Sequence, residues 1–485
     1  MDEAGEEMVE MSDTAPLSRN GSFSSTISRN GSFSSTIIPI DSPEMPEFVA
    51  SINSRDDWFP ITASRNGNSY YAAFHSISSG IGSQALTLPV AFTTLGWTWG
   101  IISLSLMFVW QIYTKWLLIQ LHESVPGTRF DRYLQLSSAS FGERLGKLLT
   151  LFPVMYLSGA TCVMFIMFAG DGMKLFMKIN NSHPLTTIEC YLLFACLATF
   201  IATLLPNFNS AAWISFVGAL TAVVYCTLLW SISIAEGRLK GISYDPVTPK
   251  SDINGVFSVF NALGITALAF RGHNLVLETQ ATMPSSLKKK SSRTMWRGVI
   301  FAYFAIAFCL FPLAICGFWA YGNEIATHRG MLNTLDAFHQ HDTSRSILKL
   351  IAILIVIHCL CAFQIYAMPI LDNLTSAYIA KKKKPASKWI QIAIRIFFGC
   401  LTFFIAVAVP FIRSLSGLIG GIVLTVTVAD PCFMWISIKK PERWSGMWCA
   451  NFLLGTFGVV LSVIVFAGGI YGLVNPGIYV RFFKA

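Results

Sequence analysis

The stretch Ser78-Ser79-Gly80-Ile81-Gly82-Ser83-Gln84-Ala85-Leu86-Thr87-Leu88-Pro89 lies inside the first long apolar segment of this chain and interrupts it. A second interruption, Ala-Phe-Arg-Gly-His-Asn at residues 269–274, lies in the sixth apolar segment. Unpaired backbone groups cost several kcal/mol each in lipid, so such breaks persist only where they line a cavity or contact a solute. Broken helices at corresponding places in two halves of a chain are typical of secondary transporters.

The composition indicates a protein that crosses the bilayer many times. Of its 485 residues, 53% are hydrophobic and 13% are charged, which is about half the charged fraction of soluble proteins. The net charge of +9 does not indicate nucleic-acid binding, because lysine and arginine cluster in the short gaps between apolar segments. The eleven cysteines lie almost all within apolar segments and indicate neither a disulfide framework nor a metal site. We therefore expect an all-α polytopic membrane protein without a cofactor.

Residues 1–68 differ from the rest of the chain. The decapeptide Ser-Arg-Asn-Gly-Ser-Phe-Ser-Ser-Thr-Ile occurs at residues 18–27 and again at 28–37. A serine-rich segment of this kind buries too little apolar area to offset its conformational entropy, and it lacks the apolar region of a signal peptide. The sequence predicts a disordered cytoplasmic tail over residues 1–68 and a transmembrane transporter domain over residues 69–485.

Eleven apolar spans follow Tyr70. Their predicted bounds are 71–94, 97–121, 148–173, 187–205, 210–235, 254–279, 298–320, 347–374, 388–411, 414–437 and 447–473. Basic residues are concentrated in alternate gaps, with clusters at 288–297, 381–388 and 439–443. The positive-inside rule then places the amino terminus in the cytoplasm and the carboxyl terminus outside, and we expect the plasma membrane as the location.

Spans 1 and 6 are the two interrupted ones. Their separation by five spans predicts two five-helix repeats of opposite orientation, with an eleventh helix appended. The two halves show no convincing identity to each other, so this prediction depends on the positions of the breaks.

Several stretches resemble the amino acid/auxin permease family, most closely its plant lysine-histidine-transporter-like branch. They are Ala73-Phe74-His75, Leu88-Pro89, Leu95-Gly96-Trp97, Leu205-Pro206-Asn207-Phe208-Asn209-Ser210, Gly272-His273-Asn274 with Glu278, Gln280-Ala281-Thr282-Met283-Pro284, Met295-Trp296-Arg297-Gly298-Val299, Gln364-Ile365-Tyr366-Ala367-Met368-Pro369 and Pro431-Cys432-Phe433-Met434-Trp435. The resemblance covers essentially all of residues 70–475. It implies a leucine-transporter-type inverted-repeat fold and proton-coupled uptake of amino acids. The chain departs from the family at Gln84 and Arg271, where members usually carry small residues, and this puts the usual substrate range in doubt.

The two breaks form the predicted substrate site. At the first break, backbone N–H groups at the start of the second half-helix provide a positive dipole end that suits a carboxylate, and carbonyl groups at the end of the first half-helix suit an ammonium. The predicted substrate-binding residues are Ser79, Gly80, Gly82, Ser83, Gln84, Phe270, Arg271 and Gly272. An alternative is that the small residues only allow close packing of helices.

Ionisable residues within a membrane span are functional hypotheses by default. His273 is a candidate for proton coupling, because an unperturbed imidazole titrates near pH 6.5. Glu278 is a second coupling candidate, and a structural pairing that anchors the broken helix is the alternative. A regular helix would place Arg271 and Glu278 on one face about 10 Å apart. His75 and His358 are interpreted as hydrogen-bonding residues between packed helices.

These observations favour a secondary active transporter that imports amino acids together with protons by alternating access. Arg271 adds a fixed positive charge to the site, so neutral or acidic amino acids are favoured over cationic ones. The expected partners are the amino acid, the proton and the lipid bilayer, with no nucleic acid. Alternatives are a transport-defective amino acid sensor of the same fold and a carrier of another small carboxylate such as auxin. No sequence pattern typical of a membrane enzyme is present, so the chain is not expected to be an enzyme.

Overall fold

The structure, a computed structural model, describes residues 65–180, 185–204, 212–246, 252–286, 290–328, 330–339, 344–409 and 416–474. The duplicated decapeptide and the carboxyl terminus lie outside these ranges, so the predicted division of the chain at residue 68 stays a prediction. All the regular structure within the described ranges is helical.

The first apolar span is divided in two, as the sequence predicts. Helix α1 covers Ser69–Gly80 and begins after Asn68, whose side chain caps its first turn. The chain then leaves the helix, forms a 3₁₀ turn over Ser83–Leu86 and continues as α2 over Leu88–Leu121. Gly96, at φ 67°, interrupts α2 at the predicted boundary between the first and second spans.

The sixth span is broken in a related way. Helix α7 covers Asp252–Leu268, and a 3₁₀ turn over His273–Leu275 leads into the short helix α8, Val276–Ala281. Between them Gly272 has φ 111°, a left-handed conformation that glycine adopts without steric strain. The prediction that spans 1 and 6 are broken is confirmed.

The other described helices are α3 (Tyr133–Phe141), α4 (Glu143–Asn180), α5 (Thr187–Leu204), α6 (Ala212–Glu236), α9 (Ser291–Tyr321), α10 (Glu324–Thr327), α11 (Met331–His339), α12 (Arg345–Lys382), α13 (Lys388–Ala408), α14 (Ser416–Leu424), α15 (Asp430–Lys439) and α16 (Gly446–Val474). Ten segments of the described chain are long and apolar enough to cross a membrane. The predicted first span, divided between α1 and the start of α2, is the eleventh. Helix α4 extends several residues beyond both of its predicted ends, and α12 extends mainly beyond its predicted carboxyl-terminal end.

The tenth span contains a π segment, Thr425–Ala429, that the sequence reasoning did not predict. The hydroxyl of Tyr133 donates a hydrogen bond to the carbonyl of Val426 at 2.7 Å. This bond ties α3 to the irregular part of the span.

Helix α1 lies at the centre of the bundle, where it packs against α6, α9 and α12. A glycine of α9, Gly298, allows α9 to approach α1 closely. A Cβ atom at position 298 would overlap the carbonyl oxygen of Ser69 and would lie 2.5 Å from Cβ of Ala72. Small residues at such crossings let helix backbones approach closely in a membrane.

A cluster of charged side chains joins the helix ends on the side of the bundle where α1 begins. Nε2 of His122 lies 3.1 Å from Oδ1 of Asp131, and Nη2 of Arg65 lies 3.9 Å from Oδ2 of the same carboxylate. Nε of Arg129 lies 3.4 Å from Oε1 of Glu123. We call these five residues the end cluster.

The end cluster also holds the segment between α8 and α9. Arg129 donates to the carbonyl of Met283 at 3.1 Å, and the hydroxyl of Ser291 donates to Glu123 at 2.8 Å. Since Arg65 precedes α1, the cluster connects the entry to the first broken span with the exit from the sixth.

The pKa values of one imidazole and one carboxylate in the end cluster depart from their usual range. Burial lowers the pKa of His122, and the neighbouring Asp131 only partly opposes this effect. For Asp131, burial alone would raise the pKa, but the hydrogen bond with His122 and the positive charges of Arg129 and Arg65 bring it below the usual value.

We expect acidification to weaken the end cluster through His122. A histidine whose folded pKa lies below its unfolded value near 6.5 makes the folded state lose stability as the pH falls below that value, by up to about 1.4 kcal/mol per pH unit. The thermal unfolding midpoint of the purified protein in detergent should therefore fall between pH 7.5 and 5.5, and His122→Gln should reduce this fall. His328→Gln, at the other end of the bundle, is the control. An equal fall in wild type and His122→Gln would contradict the expectation.

Candidate functional site

Arg271 lies at the centre of the candidate site. Its side chain is fully buried between the two broken spans, and its Nε donates a hydrogen bond to the hydroxyl of Tyr366 on α12 at 3.0 Å. The guanidinium carbon lies 5.0 Å from the ring centroid of Tyr366 and 5.3 Å from that of Phe165 on α4. Within the described part of the chain, Nη1 and Nη2 have no hydrogen-bond partner. The buried cation thus keeps two donor atoms available for a ligand.

Tyr366 connects the two breaks. Its hydroxyl accepts from Arg271 and donates to the backbone carbonyl of Ser79 at 2.9 Å. The hydroxyl of Tyr225 on α6 donates to the carbonyl of Gly82 at 3.4 Å. Two carbonyl groups at the first break are therefore already acceptors within the protein.

The backbone at Gly82 borders the free guanidinium nitrogens. A Cβ atom at this position would overlap Nη2 of Arg271 and would lie 2.5 Å from Oε1 of Gln84. The Gln84 side chain is buried, and neither of its amide atoms has a hydrogen-bond partner among the described residues. The two residues that depart from the family pattern, Gln84 and Arg271, therefore face the same small space.

Helix α2 holds both sides of the second break. The Gln111 amide donates to the carbonyl of Ala267, in the last turn of α7, at 2.8 Å. Nε2 of His273 lies 3.1 Å from the carbonyl of Gln111 and 3.0 Å from Oγ1 of Thr114. The contact with the carbonyl requires a hydrogen on Nε2. On the far side, the Asn274 amide donates to the hydroxyl of Ser158 at 2.9 Å.

The chain matches the family described as transmembrane amino acid transporter protein over residues 65–475. The chain belongs to this family. Its function is therefore transport rather than enzymatic catalysis, and the resemblance noted in the sequence is confirmed.

Three relatives come from Arabidopsis thaliana. Lysine histidine transporter-like 8 is 50% identical over 441 residues, which cover 90% of this chain and 85% of the relative. Lysine histidine transporter-like 7 is 43% identical over 435 residues, with 88% and 90% covered. GABA transporter 1 is 24% identical over 419 residues, with 83% and 90% covered.

Two solved structures share the fold at low sequence identity. A substrate-bound, outward-open Na⁺-coupled sialic acid symporter has a TM-score of 0.54 and 12% identity, and covers 88% of this chain and 95% of its own. Mhp1, a nucleobase-cation-symport-1 family transporter in a closed conformation, has a TM-score of 0.54 and 10% identity, with 85% and 93% covered. The predicted leucine-transporter-type fold, with five-plus-five helices and broken spans 1 and 6, is confirmed.

The predicted site residues of this family member divide into two groups. Gly82, Gln84 and Arg271 surround the unpartnered guanidinium nitrogens, and Ser79 is joined to them through Tyr366. Gly80 packs instead against α9, because a Cβ there would lie 2.7 Å from Cδ1 of Ile306. Phe270 packs on Phe108 of α2, with ring centroids 5.5 Å apart. For Ser83 the structure describes the 3₁₀ backbone only, so its predicted role stays a prediction.

The coupling candidates do not share a location. His273 faces α2, whereas Glu278 lines a small cavity together with Arg132 and Asp372. Nη2 of Arg132 lies 3.7 Å from Oδ2 of Asp372. Glu278 and Arg271 form no ion pair among the described residues, as expected from their separation along the chain.

The interpretation of His75 and His358 as hydrogen-bonding residues between helices is confirmed. Nδ1 of His75 lies 2.7 Å from Oγ of Ser215 on α6. Nδ1 of His358 lies 2.9 Å from the carbonyl of Gly218, also on α6.

The buried side chain of Lys115 was not identified from the sequence. Lys115 of α2 is 1% exposed and reaches the second break. A Cβ atom on Gly272 would lie 3.6 Å from Nζ of Lys115 and 3.1 Å from Oγ of Ser79. The sequence did contain a signal for this residue, since Lys115 is the one charged residue between Leu88 and Leu121.

The contact between Gly82 and Arg271 yields a test of the site. We expect Gly82→Ala to reduce substrate uptake at least tenfold, because the added methyl group occupies the space of the guanidinium and of the Gln84 amide. The matched control is Gly159→Ala, where the new Cβ would lie at an ordinary 3.7 Å from Ile370. Uptake is measured at equal amounts of folded protein, judged by size-exclusion chromatography. Wild-type uptake by Gly82→Ala would remove this backbone position from the site.

Proposed function

We propose that this chain is a secondary active transporter that imports amino acids together with protons, with neutral and acidic amino acids favoured over cationic ones. The observation that carries the proposal is the buried Arg271, whose Nη1 and Nη2 have no partner among the described residues. A guanidinium remains charged in proteins and binds carboxylates with a fixed fork of donors. A substrate carboxylate is the group that such a site lacks.

The first break supplies a second feature for the same carboxylate. The 3₁₀ turn that starts at Ser83 and leads into α2 presents backbone N–H groups, which carry partial positive charge at the start of a helical segment. Arg271 lies beside Gly82, immediately before that turn. Both features attract the same negatively charged group.

A cationic amino acid is disfavoured by the same geometry. Its side chain would bring a further positive charge close to Arg271 in a region where water does not screen it. Two relatives carry lysine and histidine in their names, but the charge of Arg271 is the reason not to transfer those substrates to this chain.

Proton coupling is proposed to involve His273. Its side chain is fully buried, and Nδ1 has no hydrogen-bond partner among the described residues. A proton added to Nδ1 would create a buried imidazolium next to the second break, so protonation and the geometry of the break are linked. Glu278 is the second candidate, since Oε2 is buried and unpartnered within the described chain.

Transport into proteoliposomes tests the proposal. We expect an inward proton gradient to drive accumulation of labelled alanine and glutamate, an uncoupler to abolish it, and replacement of sodium by choline to leave it unchanged. His273→Ala should lose gradient-driven accumulation but retain exchange, because exchange needs no net proton movement. His328→Ala is the control. Normal accumulation by His273→Ala would exclude His273 from coupling.

The rival hypothesis, a sensor of the same fold, makes a different prediction in the same experiment. A sensor binds the amino acid but shows neither accumulation nor exchange. A carrier of another small carboxylate, such as auxin, would transport that compound and neither alanine nor glutamate.

We further propose that the protein lies in the plasma membrane with its amino terminus in the cytoplasm. The basic residues of the gaps after α12 and α15 support this orientation. Single cysteines introduced at Lys384 and Lys440 in a cysteine-free variant should resist an impermeant maleimide in intact cells and react after permeabilisation. Labelling of both cysteines in intact cells would show that the amino terminus lies outside.

A further inference from the structure

The second break is flanked by two buried positive groups. Arg271 precedes Gly272 in the chain, and Nζ of Lys115 approaches Gly272 from α2. Neither residue forms an ion pair with any carboxylate in the described ranges. Nζ of Lys115 lies 4.9 Å from the ring centroid of Tyr303 on α9. The next ionisable residue after Arg271 in the chain is His273, whose side chain faces α2.

Both donors and acceptors around the breaks lack hydrogen-bond partners among the described residues. The donor atoms are Nη1 and Nη2 of Arg271 and Nε2 of Gln84, and the acceptor atoms include Oε1 of Gln84 and Nδ1 of His273. The carbonyls of Ser79 and Gly82 accept from tyrosine hydroxyls. Among these groups, the Arg271 guanidinium carries a fixed positive charge, and its fork of donors matches a carboxylate. This charge is the feature of the site that suits a carboxylate.

Charge balance leads to the same substrate class. An uncompensated charge in the interior of a membrane protein is costly, so two buried cations call for more than one negative charge. A zwitterionic amino acid brings no net charge. An acidic amino acid brings one net negative charge and two carboxylates. A dicarboxylate brings two net negative charges and two carboxylates.

We propose that Lys115 and Arg271 together select substrates with two carboxylate groups, acidic amino acids and small dicarboxylates, over zwitterionic amino acids. Arg271 binds one carboxylate beside Gly82, and Lys115 attracts the second carboxylate from the side of α2. This inference rests on the proposed function, because it concerns the same substrate site, but it makes a narrower claim about the substrate.

Equilibrium binding to the purified protein in detergent tests the inference without requiring transport. Glutamate and glutamine are a matched pair, since they differ by a carboxylate and an amide of nearly the same size. We expect the Kd of glutamate to be at least tenfold below that of glutamine, and succinate to bind more tightly than glutamine. Similar Kd values for glutamate and glutamine would overturn the inference.

Substitution of Lys115 assigns the preference to this residue. Lys115→Met, similar in length but uncharged, should raise the Kd of glutamate at least tenfold and change that of glutamine less than threefold, whereas Lys115→Arg should keep the preference. Lys178→Met, at an exposed lysine paired with Asp336 at 3.0 Å, is the control. A glutamate preference that survives Lys115→Met would contradict the role of Lys115.

The remaining outcomes are also decisive. If Lys115→Met is not recovered as folded protein, Lys115→Gln replaces it, and the wild-type ratio of Kd values already decides the substrate class. If glutamate binds with the expected preference but is never accumulated in proteoliposomes, the proposed function fails and the inference about the substrate stands. If alanine and glutamine are transported and bound as well as glutamate, the inference fails and the proposed function stands.

Discussion

The hydrogen bond between Arg271 and Tyr366 is the interaction on which the site depends. A guanidinium buried in the interior of a membrane protein loses its hydration, and hydrogen bonds to charged groups recover about 1.5–3 kcal/mol each. The Tyr366 hydroxyl supplies one such bond at 3.0 Å, and the rings of Tyr366 and Phe165 add cation–π attraction. Since the same hydroxyl donates to Ser79, the charge of the sixth span is linked to the backbone of the first.

Each break is stable because side chains of neighbouring helices replace the lost helical hydrogen bonds. Tyr366 and Tyr225 serve the carbonyls of the first break, and Gln111 serves the carbonyl of Ala267 at the second. In lipid, irregular backbone is tolerated only when it is satisfied in this way or lines a cavity. The polar residues on α2, α6 and α12 are thus part of the site even where they touch no substrate.

The location of the breaks could be predicted from sequence because they depend on local chemistry. Gly80, Gly82 and Gly272 interrupt apolar segments whose lengths are fixed by the bilayer, so composition and spacing identify both breaks. The partners of Arg271 could not be predicted, since Tyr366 is 95 residues away in sequence and its side-chain direction depends on how α12 packs. The seven-residue separation places Glu278 about two helical turns from Arg271, but the position of Glu278 beside Arg132 and Asp372 depends on how the helices pack.

Lys115 shows a different limit. A single lysine near the end of an apolar segment is usually interpreted as a side chain that extends to the membrane surface, and only the packing of α2 against the second break reveals Lys115 as buried.

The end cluster explains why the position of these charges matters for transport. It joins the chain before α1 to the segment after α8, so it holds both broken spans in one arrangement at one end. A ligand shifts such an equilibrium only by binding two states unequally. Carboxylates bound between Arg271, Lys115 and the backbone at Gly82 would contact both broken spans at once, and any relative movement of those spans would change these contacts. The positive charges at the breaks are therefore placed where substrate binding and the movement of the two halves are necessarily linked.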